Sequence, residues 1–157
     1  MKLLVTSSLK ETHGKEEEEI LFAGDWVKSS LSFEQDFKYR NYEFFKYAFG
    51  DEKNLKEAFV TLTELRSRLL EELSFNLNTI HKTDYSSKYW KIVIQPWLHY
   101  YLEETYIRFE TIKRILNKRE NLNFIYLNDL KNFETSFDVR DFTINIRSSE
   151  NYNQFIF

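Results

Sequence analysis

The strongest periodic signal in the chain runs through its middle. Leu55, Phe59, Leu62, Leu65, Leu69, Leu73, Leu77 and Ile80 recur at spacings of three and four. That repeat places one apolar stripe along a single long helix. Gly50-Asp51 precedes it, and Asp51 is placed to cap its first turn. Lys82-Thr83-Asp84 breaks it. A second helix follows from Ser86 or Ser87 to about Lys118, marked by Trp97, Leu98, Tyr101, Leu102, Thr105, Ile112, Ile115 and Leu116. Pro96 lies inside it. Proline donates no backbone hydrogen bond, so a kink or a fresh start capped by Gln95 is expected there.

Strand signals flank this helical block. Lys2 to Thr6 is apolar, β-branched and closed by small hydroxyl residues, which reads as a buried first strand. Asn123 to Leu127 reads as a second good strand. Ile20 to Gly24 fits a short strand or a helix turn equally. Asp36 to Phe49 is dense in aromatics, after a Ser-rich breaker at Ser29, Ser30 and Ser32. Asp138 to Ile146 fits a strand by propensity or a helix capped by Asp138, and the helix is favoured. The pattern predicts an α/β fold: an incomplete Rossmann-like sheet with a large helical insertion, mostly helical by residue count. The 157 residues suit one domain. The last residues, Asn151 to Phe157, end on Phe-Ile-Phe without a polar tail. Free termini are usually polar, so the expectation is an N-terminal domain fragment, 1–157, of a longer protein.

Composition removes several functions. The net charge is −3, with no general basic excess for a nucleic-acid surface. There is no Cys, hence no disulfide framework, Cys-bearing zinc site or thiol chemistry. No apolar run reaches bilayer length, and the first residues do not form a signal peptide. Gly14, Gly24 and Gly50 are too far apart for a phosphate-binding loop. His13, His81 and His99 are isolated in sequence. A cytoplasmic protein without a cofactor is the expectation.

A loose polar set remains. Thr6, Ser7 and Ser8 follow the first strand, where open α/β sheets place ligands; an ordinary loop is the alternative. Thr12, His13 and Gly14 come shortly after. His81 ends the long helix, as a cap or as an acid or base near neutral pH. Asp25 beside Trp26 reads as a base or as a solvated loop acid. Arg108 lies on or near the apolar stripe of the second helix, paired with Glu104 one turn earlier or held for a phosphate or carboxylate.

The block Tyr85-Ser86-Ser87-Lys88-Tyr89-Trp90-Lys91-Ile92-Val93-Ile94-Gln95-Pro96-Trp97 holds two of the three Trp and the only Pro. Seven residues part Trp90 from Trp97, on one helix face, as core or as a sugar-stacking platform. With Leu98, this block resembles the "S-x-(R/K)-Y-W-(R/K)-I-x-x-x-P-W-L" signature of a transferase family encoded in bacterial O-antigen and other surface-polysaccharide loci. Ile20 to Trp26 is similar to that family's "L-F-L-G-E-W" segment, with Asp25 for Glu and Ala23 for the second Leu. Leu77-Asn78-Thr79-Ile80-His81 is similar to its "L-N-x-x-H". Leu3 to Ser7, Arg108, Asp141-Phe142 and Asn153 extend the resemblance along nearly the whole chain.

The resemblance implies a glycosyltransferase-like enzyme of two Rossmann-like domains. The downstream half would hold most of the activated sugar donor. Residues 1–157 would face the glycan acceptor and be inactive alone. The resemblance carries no catalytic assignment onto these residues; by residue type, His81, His13 and Asp25 are the candidates for an assisting acid or base. Thr6, Ser7, Ser8, Tyr89, Trp90, Trp97 and Arg108 are the candidates for substrate binding. The competing expectation is a non-catalytic helical interaction module.

Overall fold

The computed structural model describes residues 1–29, 33–127, 136 and 138–156. Four strands form one sheet: β1 (Lys2–Val5), β2 (Ile20–Phe22), β3 (Tyr42–Phe44) and β4 (Leu122–Phe124). A one-turn helix α1 (Phe33–Asp36) precedes β3. The long helices α2 (Glu52–His81) and α3 (Ser87–Lys118) lie between β3 and β4. Helices α4 (Val139–Ser148) and α5 (Glu150–Ile156) end the chain. This is an α/β fold with a large helical part. Ser30 and Ser32 of the expected breaker lie outside the described residues, as does Phe157.

The strand order is β3-β2-β1-β4, and all three pairings are parallel. Parallel strands cannot be joined by tight hairpins, so each connection is a crossover. Between β1 and β2 it is a loop with a 3₁₀ turn at Lys10–Thr12. From β3 to β4 it contains the two long helices.

The chain divides into two compact units. The sheet unit comprises Met1–Ala48, Ile107–Thr135 and Ser148–Phe157. Side-chain alternation gives its sheet two buried faces. Leu3, Val5, Ile20 and Phe22 point to one face and pack with Val27, Phe33 and Phe37. Leu4 and Leu21 point to the other, with Ala23 and with Ile112 and Ile115 of α3. The aromatic density after residue 32 has its explanation on the first face. Phe22 stacks on Phe44 at 5.0 Å and meets Phe37 edge-on at 5.1 Å, and Phe33 lies 4.8 Å from Phe37.

The helical unit comprises Phe49–Tyr106 and Ser136–Arg147. Asp51 caps α2, accepting the Asn54 backbone N–H at 2.9 Å. Lys82 stops α2 in the left-handed region, at φ 54°. Its N–H and that of Thr83 turn back to α2 carbonyls, in the manner of a Schellman ending. Helix α3 runs unbroken through Pro96. The proline removes one hydrogen bond, to the Ile92 carbonyl four residues back, without ending the helix.

The turn between α2 and α3 is organised by one side chain. Asn78 Oδ1 accepts three donors: the Thr83 hydroxyl at 3.1 Å, the Tyr85 backbone N–H at 3.0 Å and the Trp90 indole N–H at 2.9 Å. Its Nδ2 donates to the Tyr85 carbonyl at 2.8 Å. Trp90 is buried by this arrangement. Trp97 is only half-buried, stacking on Tyr101 at 5.1 Å and lying 5.7 Å from Phe142 of α4. Asn78→Ala should therefore cost about 2–4 kcal/mol, at roughly 1 kcal/mol net for each of four bonds. Trp90→Ala should cost ~3–5 kcal/mol through lost core volume, and Trp97→Ala clearly less. Urea melts of the three variants, compared by midpoint at constant slope, check the order.

Candidate functional site

In the sheet unit, the strand order turns back on itself at β1. The chain builds outward from β1 through β2 to β3, then returns to place β4 on the other side. Open parallel sheets bind ligands outside the carboxyl ends of the strands at such a switch point. Here that is the space after Val5 and Phe124, and Thr6, Ser7 and Ser8 lie at its β1 side.

Gln154 of α5 closes this point. Its side chain is 1% exposed. Nε2 donates to the Ile125 carbonyl at 3.0 Å, just past β4. A carbonyl can only accept, so the amide orientation is fixed. Oε1 then faces the Thr6 hydroxyl at 3.3 Å and the Ser7 hydroxyl at 3.2 Å. Thr12 donates its one proton to the Leu9 carbonyl at 2.7 Å. Its contact with Ser7 at 3.3 Å is therefore one in which Thr12 accepts. The single Ser7 proton is shared between two acceptors. The next residue of the turn is held by its backbone: Ser8 N–H donates to Glu150 Oε2 at 2.6 Å. Thr6 and Ser7 are fully buried, whereas Ser8 is half-exposed.

His13 joins the same network. Its Nε2 lies 3.3 Å from the Ser7 carbonyl, which makes Nε2–H the donor and Nδ1 the acceptor of the neutral ring. The ring packs against Phe37 at 4.9 Å and Phe22 at 6.5 Å. Burial holds its pKa below the usual histidine value of 6.5; the Ser7 carbonyl opposes this, and the Arg40 cation adds to it. Arg40 also donates to the carbonyls of His13 and Lys15. Gly14, at φ 63°, turns the chain away. A Cβ there would lie 2.5 Å from Leu3 Cδ2 in a left-handed backbone, so the position favours glycine.

Asp25 opens the 3₁₀ turn after β2 and is exposed. The neighbouring Trp26 is not a free stacking face. Its indole N–H donates to the Thr6 carbonyl at 3.0 Å, and its ring fills the place where a Gly24 Cβ would be. Arg108 is buried in the sheet unit, 8% exposed on α3.

In the helical unit, His81, Tyr89 and Trp90 come together. His81 stacks on Trp90 at 6.0 Å, and Tyr89 meets Trp90 edge-on at 5.2 Å. Tyr85, not among the candidates, lies 4.2 Å from Tyr89. Tyr85, Tyr89 and His81 are exposed while Trp90 is buried beneath them. An exposed patch of tilted rings over a buried indole offers apolar faces with hydroxyl rims, the surface chemistry that suits a sugar ring. Trp97 lies apart from this cluster's ring contacts, on Tyr101 and Phe142. Among the described residues, no group of three or more His, Asp or Glu side chains is placed to hold a metal ion. No helix among them is long and apolar enough to cross a membrane.

Gln154 and Glu150 carry no local sequence signal; they reach Thr6, Ser7 and Ser8 across more than 140 residues. A glutamine running directly into an apolar stretch near the chain's end, Gln154 before Phe155-Ile156, is the one hint.

Two outcomes follow for the network. Gln154→Leu keeps the volume but strands the Ile125 carbonyl and two buried hydroxyls, costing about 3 kcal/mol or more. A chemical-denaturation midpoint shift checks it. His13 sets a pH slope. Below pH 6.5 the unfolded chain takes up a proton that the folded ring resists, so stability falls as the solution is acidified. The slope is near zero at pH 8, where the ring is neutral in both states, and grows as the pH falls toward 6.5. His13→Gln should flatten the loss between pH 6.5 and 5 in thermal melts relative to the parent.

No curated protein and no solved structure matches the chain. The model of the LIC12162 family transferase matches residues 2–157. With that match spanning the strands, both long helices and the polar network at β1, the chain belongs to the LIC12162 family of transferases.

Proposed function

We infer that this chain forms the acceptor-facing part of a glycosyltransferase-like enzyme that builds a bacterial surface glycan such as O-antigen. The observation that carries the reading is the switch point between β1 and β4, with a hydroxyl-rich turn at β1, in a transferase family. An activated sugar donor would be held mainly by a second Rossmann-like domain downstream. Within the helical unit, the exposed rings of Tyr85 and Tyr89 offer a surface for a glycan. The reaction is displacement at an anomeric carbon by an acceptor hydroxyl, whose proton passes to a general base.

The three candidate bases differ in access. His13 is neutral around pH 7 but buried, and its Nε2–H is spent on Ser7, so it positions the turn. Asp25 and His81 are exposed and can reach a ligand. Asp25 stands on the sheet unit, at the carboxyl end of β2, where the fold places chemistry. It is therefore the first choice for the base. Thr6 and Ser7 act through the backbone they fix rather than by touching substrate, since both are fully buried.

A second reading, a non-catalytic helical interaction module, draws on the exposed apolar side chains of the helical unit. Phe59, Phe75, Ile80 and Ile92 are all about 70% exposed. Apolar surface of that kind often marks a partner face.

The test is sugar transfer by the full-length gene product from a panel of nucleotide-activated sugars to glycan acceptors, read as nucleotide release and product mass. Transfer is expected, and Asp25→Asn should lower kcat by about 10²-fold or more if it takes the proton. Tyr89→Ala should raise KM for the acceptor. Residues 1–157 alone should show no turnover. Turnover by that segment alone would overturn the acceptor-side assignment. No transfer from any donor, with a protein partner captured through Phe59 and Ile92, would favour the second reading.

A further inference from the structure

Lys2, Lys10, Lys53, Lys56, Lys113, Arg114 and Arg119 are described in ion pairs with carboxylates. Arg66 of α2 and Lys91 of α3 line one groove in the helical unit. Among the described residues neither is paired with a carboxylate. Ile92, Gln95, Pro96 and His99 complete the lining, and no acidic side chain is among them. The groove holds about 330 Å³, at the lower end of the range for small-molecule sites.

Arg66 is held in place rather than left to swing. Its guanidinium donates through Nη1 to His99 Nδ1 at 2.9 Å. Guanidinium nitrogens only donate, so Nδ1 is the acceptor and the ring proton sits on Nε2. His99 Nε2 lies 3.4 Å from Glu103 Oε1. The imidazole orients the guanidinium. One nitrogen of the Arg66 fork is thereby used, and the others keep their N–H donors. A pre-oriented fork loses less entropy on binding than a mobile one and matches two oxygens at once. Lys91 adds a second positive charge, and Gln95 adds an amide. Ile92 and Pro96 supply apolar surface beside these donors.

We propose that this groove is a binding site for a phosphate-bearing ligand, a phosphomonoester or phosphodiester, gripped by Arg66 and Lys91. It goes beyond the transfer reading and does not depend on it, because binding here requires no reaction. The phosphate has two possible sources. One is a soluble sugar phosphate, whose ring would lie on Pro96 and Ile92. The other is a lipid headgroup, whose chain would continue along Phe59, Leu62 and Leu102 in the narrower cleft that Arg66 and His99 also line, with Thr63 and Glu103 as its other polar groups.

The experiment titrates the intact protein with hexose 1-phosphate, with the neutral hexose, and with vesicles of either phosphatidylglycerol or phosphatidylcholine. Calorimetry, vesicle co-sedimentation and the NMR signals of Arg66 Nε–H and the His99 ring report binding. Saturable binding is expected for hexose 1-phosphate or for the phosphatidylglycerol vesicles, but not for the neutral hexose. Arg66→Gln and Lys91→Gln should each weaken it by about 10-fold or more. Arg66→Lys should recover only part, having lost the fork. Lys53→Gln, which removes the same charge from α2 outside the groove, should bind as the parent does. Hexose 1-phosphate binding assigns a soluble ligand, and binding to phosphatidylglycerol alone assigns a headgroup. Absence of saturable binding to either overturns the proposal. So does binding that Arg66→Gln and Lys91→Gln leave unchanged while circular dichroism shows them folded. Neither result bears on sugar transfer, which is measured separately.

Discussion

A parallel sheet of three- and four-residue strands cannot stand on its own ladder of hydrogen bonds. Each strand offers few bonds, each worth roughly 1 kcal/mol net, and both faces must be kept from water. The sheet unit depends on covering those faces. One is covered by a knot of aromatic rings, with Phe22 at its centre against Phe33, Phe37, Tyr42 and Phe44. Ring pairs of this kind add about 0.5–1.5 kcal/mol each beyond the area they bury. The other is covered by Ile112 and Ile115 of α3. The connections on the aromatic face carry only a single-turn α-helix, so large side chains replace the missing helical layer.

That solution leaves the carboxyl end of the sheet to be satisfied by polar groups. The backbone beyond Val5 and Phe124 leaves the ladder there, and its carbonyls need donors. Trp26 serves the Thr6 carbonyl, His13 the Ser7 carbonyl and Gln154 the Ile125 carbonyl. His13 comes from the same loop as its acceptor, whereas Trp26 and Gln154 reach theirs across 20 and 29 residues. The turn is thus rigid, and its rigidity is bought with neutral groups, because a buried His13 resists protonation. A ligand approaching this end meets a backbone already fixed in place, with Ser8 and Asp25 as its accessible polar groups.

Elements with a strong period were legible in the sequence. The stripe from Leu55 to Ile80 lies in α2, Asp51 is its cap, and Lys82 ends it. The first strand was legible from propensity. The later strand, expected over Asn123 to Leu127, forms at Leu122–Phe124 and leaves Ile125 to Leu127 outside the ladder. At Val139–Ser148 propensity also allowed a strand, and the Asp138 cap and the family resemblance pointed to the helix that forms. Ile20–Phe22 was not, since three apolar residues have no period, and parallel pairing with β1 decides for strand. Nor was β3, because Tyr42-Glu43-Phe44 is set in a run of aromatics whose packing, not spacing, selects it. Pro96 pointed to a kink or a fresh start; no new helix starts there, and α3 continues through it. At the site, the turn at Thr6 to Ser8 could be placed from strand ending alone. Gln154 could not, because its partners are determined only once β1, β4 and α5 are assembled.

The residues that make the chain recognisable are largely those that hold its helical unit together. The "L-N-x-x-H" segment supplies Asn78, which fixes the α2–α3 turn, and His81, which stacks on Trp90. The Tyr-Trp pair supplies the indole that Asn78 accepts from, with Tyr89 at its edge. Pro-Trp supplies the ring that packs on Phe142. A side-chain amide taking three donors tolerates almost no substitution. Aspartate would lose the Nδ2 donor to the Tyr85 carbonyl, and glutamine would misplace the oxygen by a methylene. Geometric exclusion of that sort is enough to maintain a short motif without any reaction. The motif therefore identifies the scaffold, while the chemistry has to be sought among groups that reach solvent from it. Within the helical unit those are His81, Tyr85 and Tyr89 above the buried indole, and the Arg66–His99 groove, which no part of the motif's hydrogen bonding uses.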